Sequence, residues 1–233
     1  MTKRTEILHE TREVVYDEPH WARLKVLRER ALKVMRALSS AGLKSFVYGS
    51  VARGDISKSS DIDIVIPYPV SSYKIEVSVG RGLHREVVQA TPSTALKGHI
   101  HLENDVVVTF PLFKLMSREE DFYRWGGQVS LEELQENKRV PGVDKRLVLI
   151  QPTRKGHLER GVIGYEHIVA KEIGVSQAIA QERVRVLQRR DTMGRTGVYL
   201  TRPLSDDESF EAVAKDLEDQ DPAIRRTIDR RRK

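Results

Sequence analysis

The chain has 233 residues, enough to bury the core of one large domain or two small ones without cross-links, and two modules are expected. The absence of cysteine excludes disulfides, thiolate metal sites and cysteine nucleophiles, and fits a reducing, cytoplasmic setting. A net charge of +6, a charged N-terminus and no apolar run of bilayer length predict a soluble protein with no membrane partner. Arginines crowded near 183–195 and 225–232 favour a polyanion, RNA or DNA.

In chain order, Leu24, Leu27, Ala31, Met35 and Leu38 recur at helical spacing and predict a long amphipathic helix over 17–41, closed by Gly42. A short buried strand follows at 45–48, then a polar loop or short helix over 49–60, then a second strand over 61–66 ended by Pro67. Residues 73–79 alternate like a strand but also suit a helix capped by Ser71, and both readings stay open. Residues 99–113 predict a hairpin turning at Glu103 and Asn104 and closed by Pro111. Beyond it lies one convincing strand, 147–150. A helix at 166–173, a turn at Gly174 and a helix from Ser176 to about 190 then precede a ribbon through Gly194 and Gly197 to Thr201. The end is a helix over 207–218, broken near Pro222, and a basic tail.

The chemistry is concentrated between 47 and 66. In a strand, side chains alternate, so Asp61 and Asp63 project from one face while Ile62, Ile64 and Ile66 point into the core. Paired anions beside a buried apolar strand call for a cation, and oxygen-only ligands favour Mg2+ or Mn2+ over zinc. Upstream, the Gly49-Ser50 turn lets backbone amides approach a phosphate and adds a hydroxyl donor, with Arg53 or Lys58 near enough in sequence to assist. A nucleoside triphosphate held between these features would be open to in-line attack by a hydroxyl at its alpha-phosphate.

Gly49-Ser50-Val51-Ala52-Arg53-Gly54-Asp55, followed by Ser60-Asp61-Ile62-Asp63, resembles the signature of the polymerase-beta nucleotidyltransferase superfamily. It is especially similar to the minimal-nucleotidyltransferase and archaeal tRNA CCA-adding branches, over roughly residues 20–115. The resemblance implies an α+β fold, a mixed sheet flanked by helices, with two metal-binding carboxylates on one strand and a third acid on a later strand. Asp105 is the nearest candidate for that third ligand. It precedes its strand instead of lying inside it, and Asn-Asp also suits a hairpin turn.

The expected segmentation is a nucleotidyltransferase domain over 1–125, a junction with one strand over 126–160, a winged helix-turn-helix-like module over 161–205 and a helical basic tail over 206–233. On the second helix of that module Gln177, Gln181, Arg185 and Gln188 share a face suited to a DNA groove, with Arg189, Arg190 and Arg195 placed to meet phosphates. The leading expectation is therefore a transferase of nucleoside monophosphates to RNA or protein. The alternative is a DNA-binding regulator with a degenerate, nucleotide-sensing domain. His99 and His101 share a strand face but lack a third ligand at metal-site spacing, and Lys155-Gly156-His157 reads as a turn. Trp21 and Trp125 read as packing residues.

Overall fold

A computed structural model describes residues 5–194 and 197–232. The first part of the chain forms β1 (Arg12–Val15), α1 (Glu18–Ser40), β2 (Phe46–Tyr48), α2 (Ser50–Arg53), β3 (Ile62–Val65) and α3 (Ser72–Val79). Then come β4 (His84–Gln89), β5 (Lys97–Leu102), β6 (Val106–Pro111), α4 (Ser117–Trp125), β7 (Gln128–Ser130), α5 (Leu131–Gln135) and β8 (Gly142–Val143). The remainder is β9 (Val148–Pro152), β10 (Gly156–Gly161), α6 (Glu166–Ile173), α7 (Gln177–Met193), β11 (Leu200–Pro203), α8 (Phe210–Gln220) and α9 (Pro222–Arg232). No helix among the described residues is long and apolar enough to cross a membrane.

The chain divides into two compact units built from non-consecutive stretches. Of the described residues, the first gathers 5–30, 47–60 and 120–194, and the second 31–46, 61–119 and 197–232.

The first unit holds an antiparallel sheet in the order β1-β10-β9-β8. Leu147 and Leu149 of this region pack with Val162, Trp125 and the apolar stripe of α6 and α7, namely Val169, Ala170, Ile179, Ala180, Val184 and Leu187. That stripe recurs at helical spacing, so both helices bury one face and leave the other to solvent. Gly174, at φ 78° and ψ 40°, ends α6 in the left-handed conformation and turns the chain into α7. The two helices expected around Gly174 are present, and their apolar faces belong to the core they share with the sheet. The stretch 126–160, read as a junction with one strand, carries β7, β8 and β9 and nearly all of β10. His157, read as part of a turn, is buried on β10, with Nδ1 2.6 Å from the Tyr16 hydroxyl.

The second unit is a mixed sheet in the order β11-β4-β5-β6-β3, with β3 and β6 parallel and the other pairs antiparallel. Ile62, Ile64, Ile100, Val108 and Phe110 are fully buried on it. Gly98 faces Phe110 across β5 and β6, and a Cβ there would lie 2.4 Å from the phenyl ring, so only glycine leaves room for it. Residues 72–79, left open between strand and helix, are helical. The Ser72 amide and hydroxyl both donate to the Glu211 carboxylate of α8, which ties α3 to the C-terminal helices.

Two expectations about the C-terminal third need correction. Residues 200–203, expected in the wing of the helical module, are β11, paired with β4 from Leu200 opposite Gln89 to Pro203 opposite Glu86. The wing reading fails because a short ribbon of β-type residues carries no local record of its partner strand. Likewise the basic tail is a packed helix. Pro222 occupies its first turn, where a missing N–H costs nothing, and Arg231 is buried with its guanidinium on the Glu119 carboxylate and the Lys114 and Ser93 carbonyls.

Candidate active site

In the first unit, Gly49 links β2 to α2 with φ 81° and ψ −145°, a conformation essentially reserved for glycine. A Cβ there would meet nothing within 4 Å, so the backbone at this turn faces open space. The Gly49 carbonyl accepts from the Ala52 and Arg53 amides, which closes the turn, and its own amide donates to the Gly127 carbonyl at 2.9 Å. Arg28 of α1 is buried and donates to the Val51 and Lys138 carbonyls, fixing the turn from behind. Burial lowers that guanidinium to about 10, with repulsion from Arg139 adding to the effect. The Ser50 hydroxyl donates to Ser60 Oγ at 3.3 Å, and Ser60 Oγ also accepts the Ser57 amide at 2.8 Å, so serine side chains brace the loop beyond α2.

The two basic residues expected to assist a phosphate differ in place. Lys58 is exposed on this loop. Arg53 is buried at 5% exposure, with Nε and Nη2 each 2.9 Å from an oxygen of Asp55 and Nη1 on the Gly126 carbonyl. It is a buried ion pair whose guanidinium is held within the fold by Asp55 and the Gly126 carbonyl.

In the second unit, β3 carries the acids as alternation dictates: Ile62 and Ile64 are fully buried, Asp63 is half-buried and Asp61 is exposed just ahead of the strand. The donor set is two carboxylates on one strand face with no nitrogen or sulfur ligand beside them on that strand, which fits a hard divalent cation such as Mg2+ or Mn2+. The parallel register sets Asp63 beside Val107 of β6, so its neighbour on that strand is a valine and not an acid. Asp105 lies instead in the exposed turn Glu103-Asn104-Asp105 at φ 58°, and its carbonyl accepts the Ile62 amide at 2.9 Å. This places its backbone beside the start of β3, at the level of Asp61.

On α7, Gln177, Gln181, Arg185, Gln188, Arg189 and Arg190 are all exposed, as the periodicity requires. Arg183 is half-buried with its guanidinium 5.1 Å over the Phe122 ring, and desolvation followed by repulsion from Arg190 lowers it to about 10. Arg195 lies outside the described residues.

A family model for the nucleotidyltransferase domain matches residues 28–151, more than half of the chain and all of the turn and β3 acids just described. The chain belongs to the nucleotidyltransferase domain family. Neither a curated protein nor a solved structure matches it. The nucleotidyltransferase match covers β2 through most of β9, and α6, α7 and the C-terminal helices lie beyond it.

One group on this nucleotidyltransferase sheet escaped the sequence reading. Along their own strand His99 and His101 have no third ligand, but β4 supplies further donors on the same face. His101 Nε2 is 3.0 Å from Glu86 Oε1, His99 Nδ1 is 3.7 Å from the same oxygen, and His84 Nε2 is 3.6 Å from Glu86 Oε2. Burial holds His99 down to about 4 against the attraction of Glu86, with Lys97 and His101 adding repulsion, so its imidazole is neutral at physiological pH. The signal that could have found the cluster is the pairing of His-x-Glu at 84–86 with His-x-His at 99–101, once β4 and β5 are recognised as antiparallel neighbours.

Proposed function

We propose that this chain is a metal-dependent nucleotidyltransferase that moves a nucleoside monophosphate from a nucleoside triphosphate to a hydroxyl of RNA or protein and releases pyrophosphate. The observation that carries this reading is the alternation of Asp61 and Asp63 with buried Ile62 and Ile64 on β3, inside the family match. Asp61 and Asp63 hold Mg2+ or Mn2+, with Asp105 at the neighbouring turn as the nearest further carboxylate. When bound, the ion neutralises triphosphate charge and stabilises the leaving pyrophosphate. The Gly49 turn admits phosphate oxygens to the backbone, the Ser50 hydroxyl donates to them, and Lys58 adds a mobile positive charge. The acceptor oxygen attacks the alpha-phosphorus, the bond to the beta-phosphate oxygen breaks, and the hydroxyl proton leaves to solvent.

The test is label transfer from each nucleoside triphosphate to total RNA or to protein, with Mg2+ or Mn2+ added. Asp61→Asn/Asp63→Asn is expected to remove incorporation while preserving the fold by circular dichroism. Full incorporation by that variant would sink the assignment.

A second reading, a DNA-binding regulator whose nucleotidyltransferase domain senses nucleotide, is favoured by the exposed glutamine and arginine face of α7 and by a valine, not an acid, beside Asp63 on β6. If this face meets phosphates, duplex affinity falls steeply with salt. Arg189→Ala/Arg190→Ala then reduces the log–log salt slope by about 2, near the value for two lost phosphate contacts. Duplex binding with an unchanged slope in that variant rules out this face.

A further inference from the structure

The nucleotidyltransferase assignment makes no use of the histidines on β4 and β5. His84 lies opposite His101 and Glu86 opposite His99, two rungs separated by the Arg85–Ile100 pair, so all four side chains stand on one face of the sheet. Along that face His101 is next to Val107, which is next to Asp63; the cluster is thus two strands, about 10 Å, from the β3 acids. It is a separate site and does not supply the missing third carboxylate.

We propose that Glu86, His99 and His101 bind a borderline divalent cation of the zinc class. Their donor atoms all lie within 4.8 Å of one another and the three residues are half-buried. Ligands on a tetrahedral zinc are separated by about 3.3 Å, so modest side-chain rotation closes the set. The carboxylate already sits between the imidazoles, 3.0 Å from His101 and 3.7 Å from His99. A bound cation replaces a carboxylate–imidazole contact with three metal bonds without moving either strand. Two imidazoles and one carboxylate leave a fourth position to be filled, and His84 Nε2 lies 3.6 Å from the other Glu86 oxygen. Donor chemistry separates the two sites on this face: nitrogen ligands select zinc-class ions, whereas the oxygen-only pair on β3 selects Mg2+ or Mn2+.

The full chain, stripped with a chelator and dialysed, is titrated with zinc chloride by calorimetry in a large excess of Mg2+. Bound metal is counted by elemental analysis. One zinc per chain is expected. Asp61→Asn/Asp63→Asn keeps it, whereas His99→Ala/His101→Ala weakens it by more than about 100-fold, beyond the effect of outer-sphere changes alone. Cobalt at the same site gives a tetrahedral visible band that the histidine variant lacks. Glu86→Gln preserves side-chain shape and carries the test if the double variant fails to fold; it should weaken zinc at least about tenfold. The proposal is overturned if the wild-type chain binds no zinc in excess Mg2+. It is also overturned if binding survives loss of both histidines, or if it disappears with the β3 acids instead.

Discussion

Arg53 shows how far a residue's role depends on partners that the local sequence does not reveal. Placed four residues after Gly49, it suggests a phosphate ligand, but its guanidinium is committed to Asp55 and to the carbonyl of Gly126, 73 residues away. Removing one member of a buried ion pair leaves the other uncompensated, so Arg53→Ala is expected to cost about 3–5 kcal/mol in urea unfolding. The double variant Arg53→Ala/Asp55→Ala should cost less than the sum of the singles. Gly49 makes the converse case. Nothing crowds a side chain there, so Gly49→Ala is destabilising only through its backbone, by about 1–3 kcal/mol. An unchanged urea midpoint in that variant would contradict the strained conformation. The alternating burial of Ile62, Asp63 and Ile64 was legible because period two acts over neighbouring residues.

At the scale of elements, legibility follows the range of the forces involved. Helix α1, the strand β3, the β5 and β6 hairpin and the α6 and α7 pair carry their own periodicity and turn residues, and the structure places each near its expected span. The strands β1, β8 and β10 do not, because they acquire their identity by pairing. The sheet they form is held by Glu159, buried on β10, which accepts from Arg12 Nε of β1 and from Arg146 Nη2, each at 2.5 Å. Burial is the largest single influence and acts to raise the Glu159 carboxyl. The hydrogen bonds of Arg146 and Arg12, then the charge of Arg146 and a hydrogen bond with His157, outweigh it and hold the group at about 2, below its ordinary 4.5. A depressed folded-state value contributes stability that is fully present above 4.5 and is lost as pH falls towards 2. Glu159→Gln should therefore flatten the acid limb of the stability curve in that window, as followed by urea midpoints. A limb as steep as that of the unmutated chain would place the acid sensitivity elsewhere.

For the whole molecule, the linear order of segments is a poor guide to what folds together. The chain passes between its two units five times. A fragment of residues 1–125 includes the whole sequence signature but lacks β9, β10, α6 and α7 of one core and β11, α8 and α9 of the other. Expressed alone, it is expected to give broad, poorly dispersed amide resonances, whereas a well-dispersed spectrum would show that the signature region suffices. This interleaving was hidden from the sequence because buried positions such as Leu149 and Val184, or Phe110 and Phe210, meet across long separations.

The pairing of β11 with β4 also has a consequence in time. Strand β4 is synthesised more than 100 residues before Leu200–Pro203, an interval of roughly 5–20 s at ordinary elongation rates. Throughout it, the outer edge of β4 is an unsatisfied ladder of amides and carbonyls, open to pairing with another nascent chain. Its inherent protection is charge on the strand itself, Arg85 and Glu86 beside His84. The synthesis of this protein is therefore most exposed to misassembly late, while the polypeptide between the two edge partners is still being translated.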